Sequence, residues 1–478
     1  TGNSRRRNLI LGRDEPKTDE RATLDREEPT TEPEMNELLL RVKQAKDYFI
    51  LRGPPGTGKT SYAMKHILNE ALCNPDSSVL LLAYTHRAVD EICKMLDDRE
   101  EDDEYLRIGS EKKCEEQYRE RLIQNQGFSN CDEVRDAIEQ TRIFVGTVSS
   151  ITAEHAIFKL KTFSLAIVDE ASQVLEPQIL SIFCGEREGH LLVDQFVFVG
   201  DDKQLPAVVQ QTARESSVQE ESLRSIGLTN CRNSIFERLR KINGKNPSIL
   251  GQLRCHWRMH PLISEFCNRF YDGVLVAGGA PHQLQEHPHP NIPVNSLSEF
   301  EKVVVTQRVA LFPITKENVD EPYKVNGNEA KCVARIIHIL CHICGQKAEE
   351  IGVVVPFRNQ IAAIRSALAH VDPGAKPGWS DDVVIDTIER YQGSGREVIL
   401  FSTVVSKEAQ CELLSETVNE DDPDNDEGHP IDRKLNVAVS RSKNQFFVIG
   451  DPNVLQKVPI YDELMAWLQK RGVVLDDD

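Results

Sequence analysis

Residues 53–60, Gly-Pro-Pro-Gly-Thr-Gly-Lys-Thr, fit the spacing G-x-x-x-x-G-K-[ST] between the apolar run YFILR and the helix-forming run TSYAMKHILNEAL. No other stretch narrows the fold as much. Glycines in such a turn let backbone N–H groups curl round phosphate oxygens at a helix N-terminus, where the dipole favours anions. The pattern makes Gly53, Pro54, Pro55, Gly56, Thr57, Gly58 and Ser61 the cradle. Lys59 would neutralise the outer phosphates and Thr60 would hold Mg²⁺.

The rest of the chain extends this strand–loop–helix beginning. NELLLRVKQA predicts a helix before it and SVLLLAY a buried strand after it. Further apolar strands are expected at 142–148, 165–170 and 196–201, and a second series at 302–314, 351–357, 383–388, 397–405 and 446–451. Strands alternating with helices predict an α/β fold with parallel sheets. At 478 residues the chain exceeds one ordinary domain. The economical division has a polar tail or linker at 1–32 and a first domain at 33–248, with a charged, helical insertion at about 97–140. A second domain then spans 249–478, with an acidic loop at about 406–431. No internal repeat is evident.

The net charge of -19 gives no support to nucleic-acid binding, yet it is concentrated. Runs 97–104 and 420–427 carry -6 each and 476–478 carry -3, which leaves -4 for all other residues. Such blocks read as solvated loops or tails. No run approaches the length of a membrane helix, and no signal segment opens the chain. With no Met at its start, the sequence reads as a fragment or processed form. The 12 scattered cysteines fit a reduced, intracellular setting, and HILCHIC (338–344) reads as a helix face.

Three further sites carry phosphate chemistry. Asp169 closes the apolar strand LAIVDE, where a carboxylate can hold Mg²⁺, and the adjacent Glu170 can polarise an attacking water. In isolation the pair could simply cap the helix that follows. Gln204, after the strand FVFVGD, could sense the γ-phosphate, although DDKQ alone is a polar turn. Arg258 and Arg441, in the second half, could each place a guanidinium on developing phosphoryl charge.

Together these residues resemble superfamily 1 helicases of group B, the branch of the nonsense-mediated-decay helicase and the replication nuclease-helicase. The resemblance covers residues 33 to 455, with nine motifs in family order: GPPGTGKT, AYTHRAVDEI, VGTVSS, VDEAS, GDDKQLP, WRMHPLISEFCNRFYDG, VVPFRNQIAAI, DTIERYQGSGREVILFS and LNVAVSRSKNQFFVIGD. The motifs AYTHRAVDEI and ERYQGSGRE look most like bacterial members. The resemblance implies two tandem RecA-like domains with the ATP site in the cleft between them. It makes Lys59, Glu170, Gln204, Arg258 and Arg441 catalytic, and gives Mg²⁺ to Thr60 and Asp169. It places Trp257 on the nucleobase and assigns Gln392, Gly393 and Glu397 to one motif, with Glu397 near the ribose or γ-phosphate. Thr85, Thr147 and Thr387, with Pro356 and Arg358 as weaker members, would touch the single-strand backbone.

There are departures. Met35 stands where the family reads the adenine edge with Gln, and His86 where Asn is common. About 50 residues precede the phosphate loop, too few for the family's barrel-and-stalk domain. The 406–431 link is acidic where the family's is often shorter and basic or neutral. The implied activity is ATP-dependent, 5′-to-3′ helicase or translocase action on single-stranded DNA in preference to RNA. Remodelling of ribonucleoprotein and a nucleotide-gated clamp are the rivals. A nuclease domain upstream or on a partner, no membrane, and a cytoplasmic or nuclear location complete the expectation.

Overall fold

A computed structural model of the chain describes residues 2–26, 29–30, 32–99, 104–212, 214–244, 246–315, 324–371, 378–391, 395–418 and 429–475. Its contacts divide it into two units. One comprises Thr1–Gly53, Gly58–Asp202 and Pro206–Leu253; the other comprises Pro54–Thr57, Lys203–Leu205 and Arg254–Asp478.

The first unit is built on seven strands: β1 (Tyr48–Arg52), β2 (Val79–Ala83), β3 (Tyr105–Ile108), β4 (Ile143–Thr147), β5 (Phe163–Asp169), β6 (Val193–Gly200) and β7 (Leu250–Gln252). They lie in the order β3-β4-β2-β5-β6-β1-β7, every neighbouring pair parallel. Helices cover both faces, so central strands such as VLLLA are buried at every position and read as continuous apolar runs.

Two expectations about this unit need correction. The 97–140 segment is more than a helical insertion, because β3 joins the sheet edge before the helix Cys131–Gln140. The strand was hidden by Arg107, whose buried guanidinium bonds Asp90 of the helix His86–Asp97. Residues 1–32 are not a tail. A helix at Ser4–Ile10 buries Arg6, Leu9 and Ile10, and Arg6 donates to the Asp47 carbonyl (2.9 Å) with its guanidinium over the Phe183 ring. The segment looks like a linker because its charges are many, but they are partnered: Arg5 with Asp47, Arg26 and Lys43 with Glu70.

The second unit is built on a six-stranded sheet: β8 (Val309–Pro313), β9 (Ile351–Val355), β10 (Val384–Thr387), β11 (Arg396–Ser402), β12 (Ser442–Gly450) and β13 (Val473–Val474). Their order is β10-β9-β11-β12-β8-β13, again all parallel. Alternate residues of β8 serve opposite cores: Val309 and Leu311 join one apolar cluster, Ala310 and Phe312 the other. The strand expected over 302–314 begins late, since Glu299–Thr306 is helical. Ser298 and Glu301 form a reciprocal cap there, a local signal that outweighs the β preference of three valines. Cys332, Cys341 and His342 lie on the helix Gly327–His342, with the His338 and His342 rings stacked at 4.2 Å. The acidic runs 420–427 and 476–478 lie outside the described residues.

Candidate functional site

In the first unit the phosphate loop leaves the carboxyl end of β1, where Gly53 N–H donates to the Gly200 carbonyl of β6 (2.9 Å). Gly58 has φ +73°, and a Cβ there would stand 2.9 Å from that of Tyr62, so the entry to the helix requires glycine. The first helical turn is wide, with Ala63 N–H reaching the Gly58 carbonyl. Lys59 Nζ donates to the Gly53 carbonyl (2.7 Å), curled over its own loop. Thr60 Oγ1 donates to Asp169 Oδ2 (2.6 Å), joining the loop to the end of β5.

Asp169 is buried, and burial is the first cause that pushes its carboxyl up to about 6, followed by the charge of Glu170. Thr60 and Lys59 act in the opposite direction. Glu170 N–H donates to Asp169 Oδ1 (2.9 Å), and Glu170 itself adopts φ +50°. A buried carboxylate beside a second carboxylate and a threonine hydroxyl is an oxygen-rich, charge-deficient corner, which fits a small divalent cation. Ser61 is exposed. Met35 is buried in the core of this unit and has no polar atom to offer a base edge.

The residues missed from the sequence hold the next strand end. Asp202 receives a two-point contact from Arg52 (2.9 and 3.0 Å) and a third from Arg240 (2.6 Å). The only sequence signal was the pair of acids in GDDKQLP.

In the second unit, Arg441 is buried and its Nη2 donates to Gln204 Oε1 (2.8 Å), so two residues far apart in sequence form one group. Asn436 Nδ2 fixes the same turn through the Lys203 carbonyl (2.7 Å). Trp257 N–H donates to the Gly56 carbonyl (2.9 Å). Gly56 has φ +76°, and a Cβ there would lie 2.4 Å from the Cβ of Arg258. Arg258 Nη1 in turn reaches the Ser440 carbonyl (3.4 Å). The Trp257 indole lies on Gly278, where an added Cβ would stand 2.3 Å from Nε1. Glu397 is paired with Lys443 (3.0 Å), a partner the sequence reading did not name. Gln392 and Gly393 lie outside the described residues.

The proposed strand contacts occupy strand ends. Thr85, after β2, is exposed and its Oγ1 caps the helix His86–Asp97 through Ala88 N–H (3.1 Å). Thr147 closes the neighbouring β4, is buried, and caps the helix Val148–Ala153 through Ser150 N–H (3.0 Å). In the second unit Thr387 closes β10 and Pro356 follows the adjacent β9, with Arg358 exposed at the start of the helix Arg358–Val371. Arg441 and Glu397 instead lie at the amino ends of β12 and β11. This sheet therefore carries the two residue sets on opposite edges.

Two AAA-domain family models match the chain, one over residues 32–134 and 113–212, the other over 231–453. Among curated relatives, the DNA replication ATP-dependent helicase/nuclease JHS1 of Arabidopsis thaliana is 27% identical over 449 residues, 93% of this chain and 30% of that protein. The DNA replication ATP-dependent helicase/nuclease DNA2 of Mus musculus is 29% identical over 462 residues, 92% of this chain and 38% of that protein. The chain belongs to the superfamily 1 helicases. It spans about a third of the length of these relatives. Among solved structures, an arterivirus nonstructural protein 10 helicase in complex with DNA aligns at TM-score 0.40 and 14% identity, covering 90% of this chain and 64% of that one. In this superfamily 1 chain the two RecA-like halves are the two parallel-sheet units described above.

Proposed function

We propose that the chain hydrolyses ATP to move along single-stranded nucleic acid, DNA in preference to RNA, in the 5′-to-3′ direction, and displaces the paired strand as it goes. The observation that carries this reading is the join of Thr60 to buried Asp169, with the part-exposed Glu170 on a left-handed backbone beside it. A phosphate-storing or purely structural loop has no need of a strained carboxylate at that point.

In this reading the residues take the following roles. The loop N–H groups and Lys59 hold the phosphates, and Lys59 exchanges the Gly53 carbonyl for phosphate oxygen. Thr60 and Asp169 would hold Mg²⁺, which when bound supplies positive charge to the phosphates. Glu170 orients the attacking water and takes its proton. Arg441 and Arg258 stabilise charge on the transferred phosphoryl group, and Gln204, tied to Arg441, reports its presence. Trp257, supported from behind by Gly278, offers a stacking face that accepts any base.

Contacts through threonines and helix ends suit a motor that must pass every sequence, because they address the backbone and not base edges. The preference for DNA draws on relatives named as DNA replication helicase/nucleases. An intracellular setting, and a nuclease supplied outside residues 33–455, go with the same reading.

The deciding experiment compares ATP hydrolysis with single-stranded DNA and with RNA, and strand displacement from duplexes tailed at either end. DNA-stimulated hydrolysis and faster displacement from a 5′ tail are expected. Stronger stimulation by RNA would move the substrate to RNA, and binding without displacement on either tail would make the chain a clamp.

A further inference from the structure

Glu329 has no role in the chemistry above, yet it is completely buried at the start of the helix Gly327–His342. Three donors converge on its carboxyl group: Ser402 Oγ (2.7 Å) and Val404 N–H (2.9 Å) on one oxygen, Asn326 Nδ2 (3.0 Å) on the other. Val404 adopts φ +63°, a conformation that a β-branched residue avoids. It persists because the bond to Glu329, together with the Thr403 N–H bond to the Ile449 carbonyl (3.0 Å), holds the turn that leaves β11.

The same network reaches the turn that carries Pro356 and Arg358, the weaker of the proposed strand contacts. Gln360, fully buried, exchanges two backbone bonds with Asn326 (2.9 and 3.0 Å) and donates to Ser402 Oγ (3.2 Å). Its own N–H is bonded to the Phe357 carbonyl (3.1 Å). Ser402 ends β11 and Pro356 follows β9, and these two strands are neighbours. The Glu329 carboxyl thus holds the turn Ser402–Val404 directly, and through Asn326, Ser402 and Gln360 it is linked to the turn Pro356–Arg358.

We propose that Glu329 is a positioning residue for nucleic acid in the second unit, setting the placement of Pro356 and Arg358 against the end of β11. The inference rests on the reading of this unit as part of a strand-binding motor. Among the described residues no cation is paired with Glu329, and burial pushes its carboxyl up to about 8. The titratable groups facing it are Asp451, just beyond β12, whose charge raises it further, and Cys332 on its own helix. From β11 the neutral Ser402 bonds it, and the neutral Gln360 of the helix Arg358–Val371 bonds that same Ser402 hydroxyl. Ionisation above about pH 8 therefore puts an unpaired charge beneath the strand-facing turn, and strand affinity falls as the pH rises.

The test measures the dissociation constant of the whole chain for a labelled single-stranded oligodeoxythymidine across that pH. Glu329→Ala is expected to weaken binding about tenfold near neutral pH, the equivalent of one lost buried hydrogen-bond partner. Wild-type binding is expected to weaken through about pH 8, Glu329→Gln to show no such inflection, and Asp451→Asn to shift it to lower pH. If Glu329→Ala does not fold, the other two profiles decide. Wild-type affinity in Glu329→Ala, or an inflection unchanged in Glu329→Gln, overturns the inference alone. Absence of any strand binding by the wild type overturns the motor reading as well.

Discussion

Glu170 combines a left-handed backbone with a half-exposed carboxylate, and holding a non-glycine residue there costs about 1–3 kcal/mol. Glu170→Gln keeps the shape and removes the proposed base, so turnover should fall by about 10²–10⁴-fold while nucleotide still binds. Single-turnover hydrolysis and equilibrium binding, measured on one preparation, separate the two effects. Arg441→Ala should lower turnover by about 10³-fold and leave Gln204 without its guanidinium partner. Asp169 makes a prediction about pH. Its carboxyl stands at about 6 against an ordinary 3.8, so between those values the folded chain holds a proton that the unfolded chain has released. The contribution of this group to metal-free stability is therefore greatest at low pH and is lost as the pH rises through about 6. Magnesium requires the ionised form, so it should raise the melting temperature at about pH 7.5 and have little effect near pH 5. An equal magnesium shift at both would remove Asp169 from the metal site.

At the scale of elements, the sequence was most legible where strands are buried on both faces. VLLLA, FSLAIVD and KNQFFVIG lie in central strands whose apolar runs admit few alternatives. Edge pieces were harder to read. β3 carries Arg107 in its middle, and its partner Asp90 is on another element, so no window of sequence contains both halves of the pair. The Ser4–Ile10 helix failed to announce itself for the same reason, since Arg6 is satisfied by carbonyls at Asp47 and Asp194. Thr85 has a role in an element and, in the proposed reading, a second one at the strand. Its hydroxyl caps a helix, so Thr85→Ala should cost about 1 kcal/mol of stability, whereas Thr85→Ser should preserve the cap. If Thr85 also meets the strand, Thr85→Ala should weaken oligonucleotide binding and Thr85→Ser should restore it. Denaturant melts beside binding isotherms give both readings.

For the whole molecule, a net charge of -19 and the proposed function on a polyanion are compatible if the contacts are those proposed above. Of the five candidate strand residues, Thr85, Thr147, Thr387 and Pro356 are neutral and Arg358 alone is cationic. Few counterions are then released on binding, and the slope of log affinity against log salt should be about -2 or shallower for a single strand. Anisotropy titrations over a range of NaCl concentrations give that slope, and one steeper than about -4 would reveal a basic groove elsewhere on the surface. The linear order of residues was by itself enough to show the phosphate-loop pattern, the acidic pair at the end of β5 and the α/β class, which depend on contiguous residues with a fixed period or spacing, and the family was read from the resemblance of its motifs. Tertiary structure alone decided that Arg441 meets Gln204, that Asp202 is held by two arginines, that Glu397 pairs with Lys443 and that Glu329 lies buried beneath a strained valine. Those facts depend on which side chains share a low-dielectric space after the sheets form, and the energies that fix them act through distance and not through position along the chain.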